Sequence, residues 1–286
     1  MLEIMRALML TVALMAGFML ISTPMPSLAE ANGAPGILVL GDSQLTFGSG
    51  AAFVDLFQNM AGSCGIKKDT SVGVIGVRSS TLTAWTGISR KTRSAICDVD
   101  PKWNANAGAY GSLSQGKNPY IQIGRGDQFQ FCKAGVSPLQ SVFNKGYYAP
   151  DLVVMFLLGN ATDRWAGSAQ AAKADVQALI ADLPANQPCI FMTTAPPYGK
   201  SVVKQRLKAQ QNIELAFAQS GRQCSFVRGF TTETIAANQG NAQHFRRNKS
   251  GKVRDPYHPT EQAARAFLKL ERDALCSAAR TQLGKN

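Results

Sequence analysis

Three side chains at opposite ends of this chain have the types and spacing for nucleophilic catalysis. Ser43 stands in a Gly41-Asp42-Ser43 tripeptide just after the apolar run Gly36-Ile-Leu-Val-Leu40, and Asp255 and His258 stand in Asp255-Pro-Tyr-His258-Pro259 near the end. A hydroxyl is a poor nucleophile until a base takes its proton, and an imidazole held by a carboxylate is such a base. A serine at the tip of a buried strand presents its Oγ where the sheet opens. The chain order Ser, Asp, His suits acyl transfer through an acyl-enzyme.

These groups meet only if strands and helices carry them to one place. Apolar runs predict strands over 36–41, 71–76, 151–159, 189–194 and 224–228, and helical patterns over 50–62, 167–182, 201–220 and 260–280 alternate with them. Such alternation predicts an α/β fold, a doubly wound, mostly parallel five-stranded sheet with helices on both faces. Ligands of open α/β sheets bind beyond the carboxyl ends of the strands. Ser43 after strand one, Gly76 at the end of strand two and Asn160 after strand three then share one rim. The stretch 86–149 breaks the rhythm and reads as an insertion between strands two and three that shapes the substrate cleft. Residues 30–286 read as a single domain, with no linker between independent units.

Gly-Asp-Ser after the first strand, with Asp-x-x-His before the last helix, resembles the SGNH (GDSL-type) hydrolases, exported bacterial carbohydrate esterases among them. The resemblance implies an oxyanion hole made of the Ser43 N–H, a glycine N–H after strand two and an asparagine side chain after strand three. The matching positions are Gly76, with Gly73 as the alternative, and Asn160. The middle blocks depart from the pattern. Leu158 and Ala161 flank Gly159-Asn160 where the family usually has glycine and aspartate, and Asp163 lies nearby. Arg78, Arg164 and Trp165 follow strands two and three and are candidate substrate contacts. Arginine clamps a carboxylate or phosphate, and tryptophan stacks on a sugar or fills an acyl pocket. Trp85, Trp103, Tyr110 and Tyr120 add aromatic residues in or beside the insertion. Asp42 reads as a brace for the nucleophile turn, and His244 as a surface residue.

Ala7 to Ser22 is almost purely apolar, follows Arg6 and leads to Ser27-Leu28-Ala29, so 1–29 reads as a signal peptide cleaved after Ala29. An uncleaved anchor is the competing reading. The chain carries 30 Lys and Arg against 18 Asp and Glu, a net charge of +12. On an exported protein this favours polyanionic partners such as acidic polysaccharide, and export with no recognisable motif argues against nucleic acid. Six cysteines, an even number, favour disulfides outside the cytoplasm. Cys189 and Cys224 open neighbouring strands and should pair. Cys97 and Cys132 share the insertion, and Cys64 is then left with Cys276, on helices that can share one face of the sheet. No Cys-x-x-Cys occurs and the chain has only two histidines, so neither a metal site nor another cofactor is expected.

The expectation is an exported serine esterase, periplasmic or extracellular, that removes a small acyl group, acetyl above all, from an acylated polysaccharide, anionic ones included, or from another small ester. A lipolytic esterase or thioesterase and an acyltransferase are the enzymatic alternatives. A non-catalytic glycan-binding envelope protein is the alternative of another class. No stable membrane insertion is expected after cleavage.

Overall fold

A computed structural model describes residues 36–88, 96–97, 131–143, 148–221 and 224–284, together with the backbone of 107–112. The expected export segment 1–29 and much of the 86–149 insertion, Trp103 and Tyr120 included, lie outside the described residues.

The strands are β1 (Ile37–Gly41), β2 (Val72–Val77), β3 (Ala107–Ser112), β4 (Leu152–Phe156), β5 (Cys189–Met192) and β6 (Ser225–Val227). They join in one sheet in the order β3-β2-β1-β4-β5-β6. The five expected strands are all parallel to one another. The sixth, β3, comes from the insertion and runs antiparallel to β2 at the edge. Its sequence, Ala-Gly-Ala-Tyr-Gly-Ser, has little strand propensity. The open edge of β2 supplies the unpaired backbone groups that make it a strand.

Side chains along the parallel strands alternate between two cores. Leu38, Leu40, Ile75, Val77, Val153 and Met155 face one core. Ile37, Val39, Val72, Val74, Leu152 and Val154 face the other. Both faces are buried, which is why these strands read as unbroken apolar runs. The first face is covered by α2 (Leu82–Thr86), α3 (Pro138–Phe143), α4 (Thr162–Gly167), α5 (Ala169–Asp182) and α6 (Lys200–Ala218). The second is covered by α1 (Gly50–Met60), α8 (Glu261–Leu270) and α9 (Arg272–Leu283), while α7 (Thr232–Asn238) follows β6. The helix expected over 260–280 is two helices that meet at Glu271, a buried residue whose carboxylate accepts from the Thr231 hydroxyl at 3.1 Å.

Disulfides join Cys64–Cys276, Cys97–Cys132 and Cys189–Cys224, the expected pairs. The first ties the turn after α1 to α9 on one face. The third joins the start of β5 to the residue before β6. Three disulfides fit an exported protein that folds in an oxidising compartment. Among the described residues no helix is long and apolar enough to cross a membrane.

A two-stranded antiparallel hairpin of β7 (Phe245–Arg247) and β8 (Val253–Pro259) lies outside the main sheet. Its strands are half exposed and Phe245 is its buried anchor, against Tyr198. The hairpin delivers Asp255 and His258 to the rim where strand order reverses between β1 and β4, the usual ligand crevice of a doubly wound sheet.

Candidate active site

The turn that carries Ser43 is built by its own sequence. The Asp42 side chain accepts from the Gln44 N–H at 2.9 Å and its carbonyl accepts from the Leu45 N–H at 3.2 Å, so Asp42 caps the turn that Ser43 begins. Thr46 returns its hydroxyl to the Ser43 carbonyl at 2.9 Å, and Arg78 Nε donates to Thr46 Oγ1 at 3.1 Å. Gly48 has φ +137°, a conformation open to glycine, and a Cβ there would lie 2.8 Å from the Glu261 Cα. That close approach seats the turn against the start of α8, just beyond His258. Gln44 Nε2 donates to the Tyr257 carbonyl at 3.1 Å and ties the turn to the hairpin.

On the hairpin, Asp255 Oδ1 accepts from the backbone N–H groups of Tyr257 and His258 at 3.1 and 3.2 Å. This local turn brings the carboxylate under the imidazole of the third residue on. His258 Nδ1 lies 2.8 Å from Asp255 Oδ2, and His258 Nε2 lies 2.9 Å from Ser43 Oγ. The Phe47 ring packs on the imidazole with centroids 4.3 Å apart. The three residues that carry the expected chemistry thus form one unbroken chain across 215 positions of sequence.

The charges suit a base that waits neutral. Burial works to raise Asp255, but the imidazole and the two N–H groups outweigh it and hold the carboxyl below its ordinary value. An ionised Asp255 keeps the proton on Nδ1 and leaves the Nε2 lone pair to accept from Ser43. Burial lowers His258, Asp255 opposes it, and the positive fields of Arg206 and Arg246 add to the lowering. Burial pushes Asp42 up to about 6, against the Gln44 N–H and Arg206.

The triad opens into a cavity of about 380 Å³ lined by Asp42, Ser43, Gln44, Phe47, Arg78, Ser79, Gly159, Asn160, Arg206, Tyr257 and His258. Asn160 is there as expected. Its Nδ2 donates to the Ser80 carbonyl at 2.9 Å, which orients the amide and leaves a second N–H on the same nitrogen. Arg78 is there too, with its guanidinium 4.3 Å from the Phe47 centroid.

Gly76 is not. It lies inside β2, paired with Gly41 on one side and Gly108 on the other. A Cβ there would sit 2.7 Å from Leu45 Cβ, so its role is to let the nucleophile turn pack on the strand. The residues that line the cavity after β2 are Arg78 and Ser79, the latter at φ +65°, a conformation usually taken by glycine. Because the strand runs on through Val77, the lining positions fall two and three residues beyond Gly76. Gly73, the alternative, is deeper still in the strand.

Arg164 and Trp165 are scaffold, not substrate contacts. Arg164 makes two bonds to Asp175, at 2.9 and 2.8 Å, and fully buried Trp165 donates Nε1 to the same carboxylate at 2.8 Å. Both serve the packing of α4 on α5, because the turns after Asn160 aim them away from the rim. Trp85 is likewise fully buried in the core. Asp163 accepts from Gln205 at 2.6 Å, outside the cavity lining. None of the described residues of the insertion lines the cavity; its described part adds an edge strand and the helix α3 over one face of the sheet rather than shaping the cleft. His244 is half-buried with Nδ1 2.7 Å from Asn238 Oδ1, rather than a free surface residue.

Arg206 is the residue that the sequence reading missed. It sits on α6 in register with buried Val203, Ala209, Gln210 and Ile213, at spacings of three, four and seven. A charge on an otherwise core-facing stripe was the available signal.

No family model matches the chain, and no curated protein matches it. Among solved structures, the crystal structure of a DUF4886 family protein from Bacteroides uniformis is similar to it at 11% identity and a TM-score of 0.48, over 87% of this chain and 93% of that one.

Proposed function

We propose that this protein is a serine esterase of the SGNH type, exported to the periplasm or beyond the cell, that removes a small acyl group, acetyl above all, from an acylated glycan. The observation that carries the reading is the unbroken Ser43–His258–Asp255 chain, at 2.9 and 2.8 Å.

Ser43 Oγ attacks the ester carbonyl while His258 Nε2 takes its proton, and Asp255 stabilises the imidazolium that forms. The carbonyl oxygen becomes an oxyanion. Its donors are the Ser43 N–H, the second Nδ2 hydrogen of Asn160 and the backbone N–H of Ser79. Collapse breaks the ester C–O bond, and His258 returns the proton to the leaving alcohol. A water then gives its proton to His258 and its oxygen to the acyl carbon, which releases the acid and restores Ser43. Among the described residues no aliphatic side chain lines the cavity. That polarity favours a short acyl group on a hydroxylated partner over a long acyl chain.

A fluorophosphonate probe should label the wild-type protein at Ser43 and leave Ser43→Ala unlabelled. A series of 4-nitrophenyl esters should then lose kcat/KM steeply beyond two to four carbons. Failure of the probe to label Ser43 would leave the binding-protein reading in its place. Preference for long chains would favour a lipolytic enzyme, and acyl transfer to an added sugar in preference to water would favour an acyltransferase. N-terminal sequencing of the exported protein should find the chain starting at Glu30.

A further inference from the structure

We infer that Arg206 is the anion-recognising residue of this site and that the substrate is an acidic glycan ester, with a carboxylate or phosphate held beside the acyl group that Ser43 attacks. The inference deepens the esterase reading and rests on it for the word ester, but the anion site stands on observations of its own.

The first is burial without a partner. Arg206 lines the cavity and is only 6% exposed, yet its Nε and Nη1 are buried and make no hydrogen bond. None of the ion pairs among the described residues includes it. Its one described contact with a charge-seeking surface is the Tyr257 ring, 5.7 Å away. A buried donor left unsatisfied costs stability, and a buried charge costs more, so proteins keep such a group unpaired where a ligand completes it. Asp42, the nearest acid in the lining, does not complete it. The Asp42 carboxylate is engaged with the Gln44 N–H and contributes to Arg206 only through space.

The second is a slot made for the guanidinium. Gly159 follows β4 directly before Asn160, and a Cβ at Gly159 would lie 3.0 Å from Arg206 Nη2 and 3.3 Å from its Cζ. With no side chain at Gly159, the planar group lies close against this turn. It is thereby placed next to the asparagine that organises the oxyanion side, rather than out on the surface.

The third is the surrounding field. Arg78 and Arg246 lie over the Phe47 ring at 4.3 and 4.7 Å, and Phe47 packs at a tilt against His258. Three guanidinium groups thus surround the triad, and Asp42 is the one acid in the described lining. A planar fork in a positive pocket is suited to an oxyacid group, which it can hold through two parallel bonds.

The test reads binding apart from turnover. In the Ser43→Ala protein, calorimetry is run with O-acetylated methyl glucuronide, O-acetylated glucose 6-phosphate and neutral O-acetylated methyl glucoside. One charge-assisted contact corresponds to roughly 10–100-fold in affinity, so at least one anionic probe should bind tighter than the neutral one by about that factor. Which of the two wins distinguishes carboxylate from phosphate. Arg206→Met in the same background should abolish the preference, and Arg206→Lys should keep part of it. Should Arg206→Met not fold, Gly159→Ala, which crowds the guanidinium, should weaken the preference with the charge retained. Equal affinity for all three probes, a preference that survives Arg206→Met, or no binding of either anion at millimolar concentration would overturn the inference. Retained anion preference in a wild-type protein that the fluorophosphonate does not label would instead keep the anion site and remove the esterase.

Discussion

Two arginines on helices that pack together, Arg164 on α4 and Arg206 on α6, meet opposite fates. Arg164 is half exposed and bonded through two nitrogens to a buried carboxylate, which also satisfies the Trp165 indole. Arg206 is nearly inaccessible, and two of its nitrogens have nothing to bond. The same side chain is a structural rivet where its partner comes from the fold and a recognition element where the fold withholds one. Closeness in sequence to Asn160 does not separate the two cases. Arg164 is four residues from Asn160 and belongs to the scaffold, whereas Arg206 is far along the chain and lines the site.

The contrast predicts that the two clusters fail differently when broken. The largest effect is on the site side. Ser43→Ala should lower kcat/KM for a small ester by about 10⁴–10⁶-fold, and Ser43→Ala/His258→Ala should be little worse, since the residues act as a unit. Thermal unfolding should scarcely change. A Ser43→Ala protein with near-normal turnover would remove the assignment.

Next comes Asn160. Its amide gains most once charge has developed on the oxygen, so Asn160→Ala should cost about 10²–10³-fold in kcat with KM nearly constant. If KM alone rises, Asn160 positions the substrate through the ground state and another donor must hold the oxyanion.

On the scaffold side, Asp175→Ala should destabilise the protein by about 2–4 kcal/mol. It leaves the buried Trp165 N–H unsatisfied and strips Arg164 of its partner. Urea unfolding measures the loss, and the folded fraction should keep kcat/KM within about threefold. An unchanged unfolding midpoint would mean that this cluster contributes nothing net, and the contrast with Arg206 would lose its structural half.

The smallest effect is a pH shift. His258 must be neutral to accept the Ser43 proton, and its pKa lies below the ordinary imidazole value. Activity should therefore fall as pH decreases, with the midpoint of the acid limb of kcat/KM below 6.5. The groups facing the ring are Asp255, which opposes the lowering, and Arg206 and Arg246, which assist it. Arg246→Gln should therefore move the limb upward. A limb at or above the ordinary value in the wild type would contradict the neutral, partly buried base.

Much of the architecture was legible because it is written in local or periodic signals. Unbroken apolar runs mark strands buried on both faces. Asp255 and His258 are joined by a turn of their own residues, and Asp42 braces Ser43 within two positions. The cysteine pairs followed once the strands were in order, since Cys189 and Cys224 stand at neighbouring strand starts. Position on the rim was harder. Gly76 looked like the last residue of strand two, but β2 continues through Val77 and the cavity is met only at Arg78 and Ser79. A shift of a few positions at a strand end exchanges a residue that packs under the site for one that lines it.

By itself, then, the sequence determined the parallel sheet, the turn that carries Ser43, the pairing of Asp255 with His258 and the disulfide partners, because each depends on periodicity, on neighbours a few residues away or on strand order. Tertiary structure alone decided that Ala107–Ser112 becomes an edge strand, that a hairpin carries His258 to Ser43, and which arginine is buried without a partner. Those outcomes depend on which backbone edge is open, how a helix is rotated on the sheet and which carboxylate lies within reach. Such relations exist only between segments far apart in the chain, and no local pattern of residues encodes them.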